Sequence, residues 1–438
     1  MIKNFEEHLK KNFPFLKDKK ILIAISGGID SIVLCHLLHQ LKYDISLAHC
    51  NFNLRGEESD GDEKFIIELS KELGLQLFRI QFKTEKHAKE NKQSIQIAAR
   101  NLRYNWFKEI LENHNFDYVV TGHNTNDNLE TFIINLTRET GLEGLTGIPS
   151  VNGKIARPLL AFSRNDILMY AIKNNVTWRE DKSNANIKYI RNKVRHKILP
   201  ILEEINPNIL NSFKNTLEHL NESQSFINEK VSKNAEKIVV DNESGLLKIS
   251  LKKLSSIENK KTFLFQLLKK YNFTEWNDVN DLIAAQSGKQ IFSKTHRLIK
   301  DRSFLILDTL KTNTEAKEYL INTTTTELIE PIHLKIKTTN ELCTTNKQAI
   351  CVDKDLLKYP LTVRTWKNGD YIYPIGMEGK KKLSKYFKDE KFSLLEKENT
   401  WLLCNADNEI IWVINHRQDK RFSVTKKTKN SLKIAYKS

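Results

Sequence analysis

The sequence predicts an α/β chain. A doubly wound, mostly parallel sheet forms the N-terminal domain, followed by a small α+β middle domain and a β-rich α+β C-terminal domain. Three observations carry that prediction. The first 200 residues alternate between short continuous apolar runs and stretches with helical apolar spacing, the pattern of strands buried on both faces and joined by helices. Beyond Pro200 the pattern turns to a long polar helix rich in Asn, Lys and Glu, with short strand candidates after it. The last fifth is dense in turn signals, with Asn368-Gly369-Asp370, Gly376 and Gly379 between β-rich runs. These shifts divide the 438 residues into 1–205, 206–345 and 346–438.

The elements follow in order. Residues 20–25 read as a buried strand, and Ile32, Val33, Leu37, Leu38 and Leu41 then recur at helical spacing. A second strand is predicted at 45–49 and a helix over 59–73 that Gly74 closes. Further strands are predicted at 75–82 and 118–122, with helices over 94–115 and 128–137. Past Pro200, a helix is predicted over 209–239. Shorter elements follow at 246–249, 262–271, 291–292 and 304–307, with strands and loose loops over 309–345.

Composition bounds the function. Hydrophobic residues at 39% and charged residues at 28% exclude a disordered or collagen-like chain. No apolar run approaches the roughly 20 residues of a membrane span, and the N-terminus lacks an apolar signal core, so a soluble cytoplasmic protein is expected. The five Cys form no C-x-x-C pair and read as small apolar residues in a reducing compartment. Lys and Arg number 70 against 54 Asp and Glu, a net charge of +16. Residues 354–438 hold 19 of those bases and only 10 acids. A polyanionic partner and a plain solvated basic surface both account for that excess.

Ser26-Gly27-Gly28-Ile29-Asp30-Ser31 falls between a buried strand and a helix start. Backbone N–H groups at such a helix N-terminus face an anion, and two glycines admit close approach of phosphate oxygens. The string is neither a Walker A loop nor G-x-G-x-x-G. Gly122-His123-Asn124-Thr125-Asn126-Asp127-Asn128-Leu129-Glu130 closes another strand and opens a helix. Asp127 and Glu130, three apart, share one helix face and suit a divalent cation beside a triphosphate. Capping by Asn126 or Asp127, with Glu130 as its partner, also explains them. Arg100 and Arg103 lie one turn apart, as do Arg191 and Arg195, and paired arginines suit phosphate or carboxylate.

The Ser26–Ser31 string resembles the pyrophosphate-binding loop of the N-type ATP pyrophosphatase superfamily, whose members adenylate a substrate. Arg157-Pro158-Leu159-Leu160, Glu180-Asp181-Lys182-Ser183-Asn184 and Arg191-Asn192-Lys193-Val194-Arg195-His196 narrow the likeness. In this order, with Val363-Arg364, Gly369-Asp370, Pro374-Ile375-Gly376-Met377, residues 380–387 and Arg417 to Phe422, they resemble the tRNA(Ile)-lysidine synthetase family. Two departures stand out. The Asp pair that the family often carries after its Gly-His reads Asn126-Asp127 here, and its His-x-x-His-Gly-Leu-Arg string reads His49-Cys50-Asn51-Phe52-Asn53-Leu54-Arg55.

The resemblance implies ATP bound by Ser26, Gly27, Gly28, Ile29, Asp30 and Ser31. It implies catalytic roles for Asp30, Asp127, Glu130, Arg191 and Arg195, with Mg²⁺ at Asp30 and Asp127. Arg100, Arg103 and His123 would bind substrate, and Lys380, Lys381, Lys382 and Lys385, near Tyr386 and Phe387, would contact tRNA. The implied partners are free L-lysine and the isoleucine tRNA with a CAU anticodon, whose wobble cytidine becomes lysidine. A homodimer is left open. Two alternatives stand beside this reading: a tRNA 2-thiolation enzyme, which needs sulfur-handling Cys pairs, and a non-catalytic basic RNA-binding protein.

Overall fold

Alternate residues of the first strand face opposite ways, and both faces are apolar. In the computed structural model, which describes residues 1–180, 190–241, 246–310, 318–339 and 346–437, strand β1 (Ile21–Ala24) accordingly sits at the centre of a six-stranded sheet. Its neighbours are β2 (Ile45–Asn51) and β4 (Tyr118–Thr121), both parallel to it. β3 (Leu77–Gln81) lies outside β2, and β6 (Ile155–Ala156) and β5 (Val151–Asn152) lie outside β4, giving the order β3-β2-β1-β4-β6-β5. Only β5 runs antiparallel to its neighbour.

Helices cover both faces. Ile21 and Ile23 pack with α1 (Ile2–Asn12), α2 (Ile29–Gln40), α3 (Glu57–Glu72) and, after α4 (Thr84–Glu90), α5 (Ile95–Asn113), α6 (Thr125–Leu136) and α7 (Leu142–Leu145), α8 (Arg164–Lys173); the contacts come from Phe5, Leu37, Ile66 and Ile167. Leu22 and Val119 on the other face meet Phe107 and Ile110 of α5. Burial of that apolar area, at about 25 cal/mol per Å², is the main force holding helices to sheet. The strand order reverses between β1 and β4. In an open α/β sheet the ligand crevice lies at the carboxyl ends of the strands at that reversal.

The chain forms two compact units, Met1–Ile227 and Asn228–Ser438. The predicted polar helix spans Ile209–Ile238. In the second unit, Val239–Asp241, Leu247–Ser250, Phe304–Thr309, His296–Asp301 and Gln290–Phe292 form one sheet beside the Lys260–Leu268 helix. Strands Tyr319–Ile321 and His333–Thr339 join C-terminal sheets, paired with Leu361–Thr365 and Ser431–Lys437. Residues 311–317 and 340–345 of the predicted strand-and-loop region lie outside the described residues, as do Asp181, Ser183 and Asn184. No described helix is long and apolar enough to cross a membrane.

Cys35, Cys50 and Cys404 are free, and burial raises each thiol to about 12. Cys351 differs from the expected run of thiols in being disulfide-bonded.

Candidate active site

The loop after β1 turns at Gly27, whose φ of +92° suits glycine, and α2 begins at Ile29. Gly28 occupies the N-cap position and no side chain caps the helix. Ser31 instead braces the loop: its Oγ accepts from Ser26 N at 3.2 Å and donates to the Gly28 carbonyl at 2.9 Å. The N–H groups of this helix start, with its dipole, form a seat for an anion.

The loop after β4 closes against it. A Cβ on Gly122 would lie 3.0 Å from backbone atoms of Asp30 and Ser31, so only glycine lets the two loops meet. Asn124, not Asn126 or Asp127, caps α6, and the helix therefore starts earlier than predicted. Asn124 Oδ1 accepts from Asp127 N at 3.0 Å, and Asp127 Oδ2 accepts from Asn124 N at 3.1 Å. The Asn124 amide also donates to Asp30 Oδ1 at 2.9 Å, joining the two loops. Asn126 points elsewhere, and its Oδ1 accepts the Arg164 N–H at 3.0 Å, at the start of α8.

Glu130 is the buried hub rather than a capping partner. It has no exposed surface, and Arg195 grips it with Nε to Oε1 at 2.6 Å and NH2 to Oε2 at 3.1 Å. Arg195 also reaches Asp127 Oδ1 at 3.2 Å. Arg191 Nε lies 3.1 Å from Glu130 Oε2, and its NH2 donates to Thr131 Oγ1 at 2.7 Å. Burial raises the Glu130 carboxyl while Arg195 pulls it back, and the acidic neighbours hold Arg195 protonated. Burial and the Asp127 charge raise Asp30, against the Asn124 hydrogen bond. His123 is pushed down to about 4 by burial, opposed by Asp127 and reinforced by the charges of Arg157, Arg191 and Arg100; its Nδ1 lies 2.8 Å from Thr121 Oγ1.

One crevice therefore collects the Ser26–Ser31 loop, Asp30, His123, Asp127, Glu130, Arg191 and Arg195. Arg100 is exposed, stacked over Tyr104 at 4.8 Å, and Arg103 covers the Phe52 ring at 5.1 Å. Sequence reasoning missed Asn124 as the link between loops. It also gave no role to Arg157, which is 4% exposed with its Nε unpaired among the described residues; the Arg157-Pro158-Leu159-Leu160 string was the available signal.

The lysine run belongs to the second unit. Lys380, Lys382 and Lys385 are exposed, whereas Lys381 is largely covered and paired with Asp389 at 2.7 Å. Tyr386 and Phe387 are 3% and 0% exposed, because the Leu383–Asp389 helix turns them into a core with Leu402 and Val413, so neither ring can stack on a base. The ring beside the run is Tyr371, with Lys380 Nζ 3.7 Å from its centroid.

An uncapped anion seat at a sheet's switch point, flanked by acidic and arginine side chains, defines an ATP-cleaving protein of the PP-loop class, and residues 1–202 match the PP-loop domain model. Residues 242–310 match the TilS substrate binding domain and 361–434 the TilS substrate C-terminal domain. The tRNA(Ile)-lysidine synthase of Parabacteroides distasonis is 38% identical, covering 100% of both chains, and that of Bacteroides thetaiotaomicron is 37% identical over 96% of each. The chain belongs to the tRNA(Ile)-lysidine synthase family. Among solved structures, the U34-tRNA thiolase NcsA of Methanococcus maripaludis is similar over 50% of this chain and 80% of its own, at 20% identity and a TM-score of 0.40.

Proposed function

We propose that this enzyme uses ATP to join free L-lysine to the wobble cytidine of the CAU-anticodon isoleucine tRNA, giving lysidine and switching decoding from AUG to AUA. Full-length identity with lysidine synthases is the observation that carries the reading. The reaction has two steps. Cytidine O2 attacks the α-phosphorus of ATP and pyrophosphate leaves; the lysine ε-amine then displaces AMP at C2.

The residues divide the work. The Ser26–Ser31 loop holds the leaving pyrophosphate by its helix N-terminus, and preorganised charge stabilises the transferring phosphoryl group. Asp127, with one oxygen on Arg195 and the other on Asn124 N, is a fixed charge beside that group. The proton from the lysine amine goes to a carboxylate of this site, Asp127 or a neighbour. Glu130 positions Arg195 and Arg191, both of which face the substrates. Arg100, Arg103 and the neutral His123 complete the substrate side. Asp30 and Asp127, close enough to repel, suit Mg²⁺, which takes one or two carboxylates with phosphate oxygens; it would neutralise the pyrophosphate charge.

Residues 1–205 form the adenylation domain in this reading, and 206–345 and 346–438 hold the tRNA. Lys380, Lys382 and Lys385 contact its phosphates, and Lys381 is held for Asp389. The enzyme works in the cytoplasm, where its tRNA is, with no contact to membrane. The thiolase alternative is disfavoured by free thiols raised to about 12, which hold almost no thiolate. Nucleoside mass analysis of a CAU-anticodon transcript tests the function: with ATP and lysine the cytidine gains one lysine, and Asp127→Asn abolishes the gain while staying folded. Unaltered cytidine with the wild-type enzyme would reject it.

A further inference from the structure

His49 lies at the end of β2, opposite the start of the phosphate loop, and is 4% exposed. Its Nδ1 is 3.0 Å from the Ile25 carbonyl oxygen. A carbonyl can only accept, so Nδ1 carries the proton and Nε2 is left as a bare acceptor. Nε2 is buried with no hydrogen-bond partner among the described residues.

The charged groups facing the ring are Asp62 and Glu63 of α3. Both are already engaged: Asp62 with Arg55 at 2.8 Å and Arg179 at 2.5 Å, Glu63 with Arg79 at 2.8 Å, Gln81 at 2.8 Å and Asn51 at 3.1 Å. Burial outweighs them and keeps the imidazole neutral. A histidine kept only to fill the core would not bury a ring nitrogen unpaired, so the Nδ1 donor is the part in use.

That donor acts on the peptide between Ile25 and Ser26. In a trans peptide the carbonyl and the N–H point opposite ways. With the carbonyl turned to His49, the Ser26 N–H points to Ser31 Oγ, the atom that also fastens the Gly28 carbonyl. The back of the loop is tied a second time, where the Arg179 N–H donates to the Gly27 carbonyl at 3.0 Å, but that tie is backbone to backbone. The side-chain tie is His49.

We propose that His49 is a positioning residue for ATP, its Nδ1–H orienting the first peptide of the phosphate loop so that the loop's N–H groups stay aimed at the pyrophosphate. The amide of Asn places a donor where Nδ1 sits, whereas that of Gln places one at Nε2, and Ala has none. Binding of a non-hydrolysable ATP analogue is measured on full-length His49→Asn, His49→Gln and His49→Ala without lysine or tRNA. Failure here therefore leaves the ligation reading intact. Asn is expected within threefold of wild type, and Gln and Ala at least tenfold weaker, with the KM for tRNA in the full reaction unchanged within twofold. Wild-type affinity in a folded His49→Ala protein would overturn the proposal. Should Ala fail to fold, equal affinity of the Asn and Gln variants would overturn it as well.

Discussion

Glu130→Gln is the sharpest probe of how the site is held. The side chain is fully buried and its charge sits between two guanidiniums, Arg195 in a two-point grip and Arg191 at 3.1 Å. Gln keeps the volume and one acceptor oxygen, but removes the charge. Taking away one member of a buried ion pair costs about 3–5 kcal/mol, because the partner is left uncompensated. Two features lower that figure here. Asp127 remains 3.2 Å from Arg195, and the Arg191 side chain is 42% exposed, so water screens it. The expected cost is therefore about 3 kcal/mol. For a unit of this size each kcal/mol lowers the melting temperature by roughly 2–4 °C, so thermal unfolding should fall by about 6–12 °C. AMP formation, assayed well below the variant's melting temperature, should drop at least tenfold, since Arg195 and Asp127 lose their anchor. A variant that melts within 2 °C of wild type and turns over normally would refute the hub.

Three further outcomes follow from the geometry. Gly122→Ala puts a methyl 3.0 Å from backbone atoms of Asp30 and Ser31, so the loops must separate; ATP affinity should fall and stability drop by about 1–3 kcal/mol, read by nucleotide titration and urea unfolding. His123, lowered to about 4 from 6.5, is neutral when folded but takes up a proton when unfolded below pH 6.5. Its contribution is thus whole above 6.5 and lost as pH falls toward 4, up to about 3 kcal/mol at 1.36 kcal/mol per unit. Urea midpoints of His123→Asn should show a shallower decline over that window than wild type. Replacing Lys380, Lys382 and Lys385 with Gln should weaken tRNA binding and flatten its salt dependence by roughly one unit of slope for each phosphate no longer neutralised, while the KM for ATP stays constant.

Much of the nucleotide site was legible in the sequence, because its parts are local. A buried strand, two glycines and a helix start make an anion seat from adjacent residues, and Asp127 and Glu130 share a face through helix periodicity alone. The meeting of Glu130 with Arg195 is not local; only the pattern of acids on one helix and bases on another hinted at it. The cap of α6 was misplaced because Asn124, Asn126 and Asp127 are all good caps by type, and tertiary demand decided among them: Asn124 alone also reaches Asp30. The burial of Tyr386 and Phe387 was not legible, because a seven-residue helix carries too few turns for its apolar face to be told from its wet one. His49 stood out only as the first residue of the altered His-x-x-His-Gly-Leu-Arg string, and that string does not tell a histidine that packs from one that holds a carbonyl.

The release of AMP and pyrophosphate, followed with lysine and CAU-anticodon tRNA supplied singly and together, tests the central claim most directly. Adenylation of the RNA at the loop after β1 predicts that lysine alone yields nothing and that both substrates together give sustained turnover, abolished by Asp127→Asn. Equal AMP release with lysine alone, or none with both substrates present, would contradict it.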